Sequence, residues 1–159
     1  MTNKEFFLKV LDAERPVFRA VIDALPEDKH AHKVHERSRA AGNLAAQLAV
    51  QWMGISDIVK TGSPGMEHFK GQPSKSKMLT MFDEGMDELK KDVKAISDEK
   101  WENDEANMGQ MWKTKKYDMA WGFLFDAIHH RGQLTTFLRQ MGEKVPMIYG
   151  PSADVQMEK

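Results

Sequence analysis

The 159-residue sequence contains no cysteine. Disulfide bonds, thiolate metal ligands and a cysteine nucleophile are therefore excluded together, and this composition is typical of an intracellular protein. The sequence also lacks any run near the roughly 18–20 apolar residues that a membrane-spanning helix needs. Residues 1–5 show no cationic start followed by an apolar run, as a signal peptide would. We therefore expect a cytoplasmic protein without a membrane partner.

An excess of charge of one sign is also lacking. The 23 Lys and Arg residues nearly balance the 24 Asp and Glu residues, which leaves a formal net charge of −1. Because nucleic-acid binding needs a basic face, we expect no nucleic-acid partner. No internal repeat, low-complexity segment or break in composition divides the chain. Its length and its hydrophobic fraction of 41% predict one domain over residues 1–159.

Apolar residues recur at helical spacing in four segments, and no segment has the pattern of a strand. We expect helices over residues 3–24, 39–60, 75–96 and 116–141, whereas residues 97–115 give no clear signal. Ser38 and Ser74 are the expected N-caps of the second and third helices. Pro16 predicts a kink or a local break in the first helix. The fold class that follows is all-α.

The most informative stretch covers residues 125–134, where charged, imidazole and amide side chains lie inside an apolar helical pattern. Asp126 and His130 are four residues apart, so a helix places them on one face, with Gln133 a turn further on. A carboxylate and an imidazole in this arrangement form half of a metal site or of an acid–base pair. The alternative is a surface helix on which both side chains are simply solvated.

Residues 129–134 (HHRGQL), followed by 137–139 (FLR), Gly142, 145–146 (VP) and 148–154 (IYGPSAD), resemble the C-terminal signature of the DinB family. These are the DNA-damage-inducible-type, YfiT-like metalloenzymes. The resemblance implies a four-helix bundle with a divalent metal held between helices. The family's usual ligands are three histidines, one in the second helix and two, four residues apart, in the last.

The sequence departs from this set of ligands. His130 matches the second of the paired histidines, but Asp126 stands four residues before it, and Gln47 stands at the second-helix position. The resemblance therefore implies Gln47, Asp126 and His130 as metal ligands, with zinc or nickel as the ion. Because a neutral amide oxygen is a weak donor, we expect loose binding unless His35 or another donor contributes. The alternative is a chain that holds no metal.

The second helix is apolar on nearly all sides, apart from three amides spaced four residues apart. An unpaired buried polar group costs about 1–3 kcal/mol, so we expect these amides to face Asp126 and His130. Two interpretations remain open: a pocket that holds a metal or a substrate, or a hydrogen-bonded network that needs no ligand. The residues of the expected pocket are Asn43, Gln47, Gln51, His129 and Gln133.

Two further expectations concern the C-terminal part of the chain and the assembly. Arg131 is expected to pair with Asp126 or Asp154. Family members are often dimeric, and a homodimer is also expected because three tryptophans and the strongly apolar second helix leave surface to bury. The three tryptophans are Trp52, Trp101 and Trp112.

The resemblance leaves two functions open. One is a metal-dependent thiol transferase or hydrolase-type enzyme, in which the metal lowers the pKa of a low-molecular-weight thiol substrate. The other is a non-catalytic binding or stress-response module that retains the bundle without the metal. The absence of two of the three expected histidines favours the second.

Overall fold

The protein is described by a computed structural model over residues 1–156, so the last three residues of the expected domain lie outside the described part. Its four long helices form a bundle, as the all-α prediction required. Helix α2 packs mainly against α3 and α5, and α1 packs against the same two helices from the opposite corner. The helices are Asn3–Ala24 (α1), Ala41–Thr61 (α2), Lys75–Ala95 (α3), Asp98–Asn103 (α4) and Lys116–Gln140 (α5).

Side chains cap the first turns of α1 and α3. The Thr2 hydroxyl accepts the Glu5 N–H at 3.2 Å, and the Glu5 carboxylate accepts the Thr2 N–H at 2.8 Å, which completes a capping box. The Ser74 hydroxyl caps α3 by accepting the Lys77 N–H, as predicted. Helix α1 continues through Pro16. The local break that was one of the two effects expected of Pro16 therefore does not occur.

The predicted start of α2 is wrong, because α2 begins at Ala41 and Ser38 does not cap it. The Ser38 hydroxyl instead donates to the His35 carbonyl at 2.7 Å and closes a turn before the helix. Main-chain carbonyls take the place of a side-chain cap. The N–H groups of Ala41 and Gly42 donate to the carbonyls of His32 and His30, at 2.8 and 2.9 Å.

The unassigned stretch between α3 and α5 contains α4 and a short antiparallel hairpin, so the expectation that the chain has no strand is wrong. Its strands are Glu105–Asn107 (β1) and Lys113–Lys115 (β2), with Ala106 opposite Thr114. Three-residue strands give too short an alternation to be read from sequence. The hairpin packs on α5, where Trp112 lies so close to Gly122 that a Cβ there would come within 2.2 Å of its ring.

Two of the three tryptophans that were assigned to the surface lie in the core. Trp52 is fully buried between Phe18 and Phe82, with ring centroids 4.8 and 5.8 Å away. Trp101 is also fully buried, and its indole N–H donates to Asn3 at 3.0 Å. Only Trp112 keeps partial exposure. The tryptophan argument for a dimer therefore fails for Trp52 and Trp101.

The partner predicted for Arg131 is also wrong. Arg131 is buried and pairs with Glu14 of α1, and its guanidinium donates to the Tyr149 hydroxyl at 2.7 Å. Asp154 pairs instead with Arg139, at 2.6 Å. The chain after α5 thus folds back onto the bundle.

No helix within residues 1–156 is long and apolar enough to cross a membrane.

Candidate functional site

A cluster of polar side chains joins α2 to α5. The Gln51 amide donates to Asp126 Oδ2 at 3.0 Å and to the Phe123 carbonyl at 2.6 Å. The Gln47 amide donates to the same Asp126 oxygen at 3.2 Å and to Gln51 Oε1 at 3.3 Å. The regular spacing of amides on α2 therefore brings two of them against the carboxylate of α5.

Arg39 completes this cluster from the segment before α2. Its guanidinium donates to Gln47 Oε1. Sequence reasoning does not single out Arg39, because the predicted helix over residues 39–60 places it in the first turn. Since α2 begins two residues later, Arg39 lies just before the Ala40 N-cap, and its side chain reaches Gln47.

His130 lies at one side of the cluster, with oxygens at both ring nitrogens. Nε2 is 3.3 Å from Asp126 Oδ1, and Nδ1 is 2.9 Å from Gln133 Oε1. The Gln133 amide nitrogen lies 2.8 Å from the exposed His129 ring. His129, His130 and Gln133 therefore form a hydrogen-bonded row along the outer side of α5.

A cavity of about 670 Å³ opens beside the amide row. Of the five expected pocket residues, Asn43, Gln47 and Gln51 line it, together with Asp126. His129 and Gln133 are not among its lining residues within the described chain. The cavity thus contains the three α2 residues of the expected pocket, and their role in binding a ligand stays a prediction.

The far wall of the cavity comes from the connection between the second and third long helices. Residues 66–73, which begin with a 3-10 turn at Met66–Phe69, lie across from α2 and contribute His68 and Lys70 to the lining. Long connections carry few sequence signals of where they pack, so this wall was not predicted. The apolar lining residues are Ala46, Val50, Met66, Pro73, Met81, Met108 and Phe123.

The lining of the cavity carries more positive than negative charge. Arg39 and Lys70 are the cationic lining residues, against the one carboxylate of Asp126. The Asp126 carboxylate is already hydrogen-bonded by two amides. Within residues 1–156, neither Arg39 nor Lys70 forms an ion pair with a carboxylate, so both cations remain available.

The donor set does not fit the metal that the family resemblance implies. Asp126 Oδ2 accepts from two amides, Gln47 Oε1 accepts from Arg39, and His130 has an oxygen at each nitrogen. A divalent ion would have to displace these contacts beside a guanidinium cation. His35, the first candidate for a further donor, lies in the exposed turn before α2 and accepts the Arg37 N–H through Nδ1.

Comparison with known proteins identifies the architecture. A family model described as the DinB family matches residues 1–158. The crystal structure of a DinB-like protein from Bacillus cereus has a TM-score of 0.78 and 17% identity, covering 91% of this chain and 97% of that one. A DinB-like protein from Bacillus subtilis has a TM-score of 0.70 and 16% identity, covering 95% of this chain and 99% of that one. No curated protein matches the sequence.

Proposed function

The chain belongs to the DinB family. We propose that it is a binding module that lacks the three-histidine metal site of that family. Its ligand is a small amphipathic molecule with a carboxylate head. The ligand occupies the cavity between α2, α5 and residues 66–73. A cytoplasmic role in a stress response is compatible with this function.

The position of Arg39 carries the proposal. The guanidinium of this exposed residue donates one hydrogen bond to Gln47 at the cavity, and its other N–H groups are open to a ligand. A guanidinium matches a carboxylate in shape, since two parallel N–H groups can donate to its two oxygens. Lys70 adds a second positive charge at the same cavity.

The remaining lining accounts for the apolar part of the ligand. Val50 and Phe123 lie on α2 and α5, and methionines come from three separate segments. Methionine side chains are flexible and adapt to ligands of different shape. A cavity of about 670 Å³ is within the range of roughly 300–1,000 Å³ that small-molecule sites occupy.

The alternative is the metal-dependent thiol transferase or hydrolase-type enzyme. That chemistry requires an ion with an open coordination position next to the bound thiol. Asp126 Oδ2 already accepts two amide N–H groups and Gln47 Oε1 accepts the Arg39 guanidinium, which speaks against such an ion here. The binding module needs no change in these contacts.

Titration calorimetry with a matched pair of probes tests the proposal. The probes are 4-phenylbutyrate and its neutral amide, 4-phenylbutyramide. We expect saturable binding of the carboxylate and at least about tenfold weaker binding of the amide, because a hydrogen bond to a charged group contributes about 1.5–3 kcal/mol. Equal affinities, or no binding of either probe, would contradict the proposal.

A matched pair of variants locates the binding site. Arg39→Gln removes the cation at the cavity and should weaken 4-phenylbutyrate binding by about tenfold or more. Arg37→Gln removes an exposed cation two residues away that does not line the cavity, and should leave the affinity unchanged. Equal losses in both variants would indicate a general effect of net charge and would contradict a site at Arg39.

A further inference from the structure

We propose that Asp57, Glu67 and His68 form a divalent-cation site, with zinc as the preferred ion. The site lies at the end of α2, where the chain turns into residues 66–73. It is separate from the Gln47, Asp126 and His130 set that the family resemblance implies. The proposal goes beyond the binding function, because it stands whether or not the cavity takes a carboxylate.

The three side chains bring one imidazole and two carboxylates to one point. His68 Nε2 is 2.8 Å from Asp57 Oδ2 and 4.0 Å from Glu67 Oε1, and all three donor atoms lie within 4.8 Å of one another. Donors on a tetrahedral zinc ion at about 2.1 Å lie roughly 3.4 Å apart. Changes of about 0.6 Å in the two histidine distances, with an Asp57–Glu67 distance that starts at no more than 4.8 Å, bring the three donors to this geometry. Imidazole with carboxylates is a donor set that zinc accepts.

Gly65 leaves the space that the three donors face. A Cβ at position 65 would lie 2.2 Å from Asp57 Oδ2, 2.9 Å from Glu67 Oε1 and 3.0 Å from the His68 ring. These are the same three side chains that would bind the ion. The backbone at Gly65 has φ −73°, which any residue adopts, so conformation alone does not require glycine here. The absence of a side chain at position 65 leaves room for the three donors to lie close together.

A neighbouring lysine does not block the ion. Lys60 Nζ is 3.6 Å from Asp57 Oδ1, which is the other oxygen of that carboxylate. Lys60 also contacts Glu88 at 2.6 Å and Asp92 at 3.7 Å, and these anions offset its charge. Asp57 Oδ2 therefore remains directed at His68. The side chains of Asp57 and His68 are partly buried, with exposures of 21% and 28%, which strengthens electrostatic attraction at that side of the site, whereas Glu67 is 72% exposed and approaches from the surface.

An ion at this position would link the end of α2 to the wall of the cavity. Asp57 belongs to α2, whereas Glu67 and His68 belong to the 3-10 turn at Met66–Phe69. His68 and Met66 both line the cavity. The bound ion would thus fix the segment that lies across from the amide row.

Zinc chloride titration of the metal-free protein tests this site. We expect saturable binding of one zinc ion per chain. His68→Gln and Asp57→Asn should each weaken zinc binding by at least about tenfold, because each replaces a good ligand with a weak amide donor. His35→Gln removes an exposed histidine outside the cluster and should leave zinc affinity unchanged.

Two further variants separate this site from its alternatives. Gly65→Ala retains all three ligands but puts a methyl group against them, so it should weaken zinc binding without removing a donor. His130→Gln should bind zinc as the unmodified protein does. The proposal is overturned if the unmodified protein binds no zinc, if His68→Gln binds zinc normally, or if His130→Gln loses the ion instead.

Discussion

Arg131 lies in a buried group of side chains that joins three parts of the chain. Arg131 on α5 pairs with Glu14 on α1, with only 2% and 9% of their side chains exposed. The Tyr149 hydroxyl donates to the second Glu14 oxygen at 2.8 Å. The guanidinium carbon also lies 4.4 Å from the centroid of the Phe18 ring. The charges are thus paired and hydrogen-bonded, as burial requires.

Removing Arg131 should destabilise the protein far more than removing a surface arginine. Arg131→Met leaves the Glu14 carboxylate buried without its cation, and we expect a loss of about 3–5 kcal/mol in the free energy of unfolding. Arg19→Met is the control, because Arg19 pairs with Asp83 at the surface of the bundle, and it should cost no more than about 1 kcal/mol. Urea unfolding of both variants measures the difference. Similar losses in the two variants would contradict the role given to Arg131.

At the scale of one element, the end of α2 depends on a glycine. Gly62 has φ +81°, in the left-handed region, and its N–H donates to the Ile58 carbonyl at 2.9 Å. A Cβ there would lie 2.9 Å from the Glu105 carbonyl oxygen of β1. Position 62 therefore both ends the helix and allows the hairpin to approach it.

Two glycine-to-alanine substitutions should change stability in opposite directions. Gly62→Ala should lower the free energy of unfolding by about 1–2 kcal/mol, since alanine is strained in the left-handed region. Gly132→Ala lies within α5, where the added methyl group meets no atom within 4 Å beyond its chain neighbours and the adjacent backbone of its own helix, and it should raise the free energy of unfolding by about 0.5–1 kcal/mol. Thermal or urea unfolding measures both. A neutral or stabilising Gly62→Ala would contradict the helix end described here.

The segment after α5 is held by a second charged group. Arg139 donates to the Asp154 carboxylate, and this hydrogen bond is the main reason that the pKa of Asp154 is lowered. The Val145 N–H donates to the same carboxylate at 2.9 Å and lowers the pKa further. Ionised Asp154 therefore ties residues 145–154 to α5.

Acid should release this segment. A lowered folded-state pKa means that the stabilisation is present above the ordinary value of 3.8 and is lost as the pH falls through the folded-state value. The Val145 amide resonance, followed by NMR as the pH is lowered from about 5, should report this release. In Asp154→Asn, the group that titrates is gone, so that acid transition should disappear. Identical acid profiles in both proteins would contradict the assignment.

The sequence predicted the elements whose signals are local. Ser74 caps α3 as expected, and α5 runs over Lys116–Gln140, within one residue of the predicted end. The start of α2 was missed because carbonyls of His30 and His32 replace the expected serine cap. That contact depends on how the preceding loop packs, which no local pattern encodes.

The candidate site also combines features that are local in sequence with features that depend on tertiary packing. The spacing of Gln47 and Gln51 on one helix, and of Asp126 and His130 on another, is visible in the sequence. Arg39 and residues 66–73 were missed because their roles arise from tertiary packing against α2. Glu14 was missed as the partner of Arg131 for a related reason, since 117 residues separate the two.

At the scale of the whole molecule, the homodimer stays a prediction, and two of the three tryptophans no longer support it. Trp52 and Trp101 belong to the core, so they leave no apolar surface to cover. The exposed apolar residues include Phe6 and Phe125, which both lie against Trp121, with ring centroids 5.6 and 5.7 Å from it. Sedimentation velocity would establish whether the chain associates.

In the proposed function, the α2–α5 cluster of this DinB protein is a hydrogen-bonded wall of a ligand cavity and not a metal centre. Equilibrium dialysis of the His68→Gln variant against zinc tests this most directly, because that variant lacks a ligand of the separate site proposed at Asp57, Glu67 and His68. We predict that this chain retains no tightly bound ion. Adding Gln47→His and Asp126→His to it should create zinc binding, because both changes supply imidazoles beside His130. A stoichiometric, tightly held zinc ion in the chain with Gln47 and Asp126 intact would contradict the account.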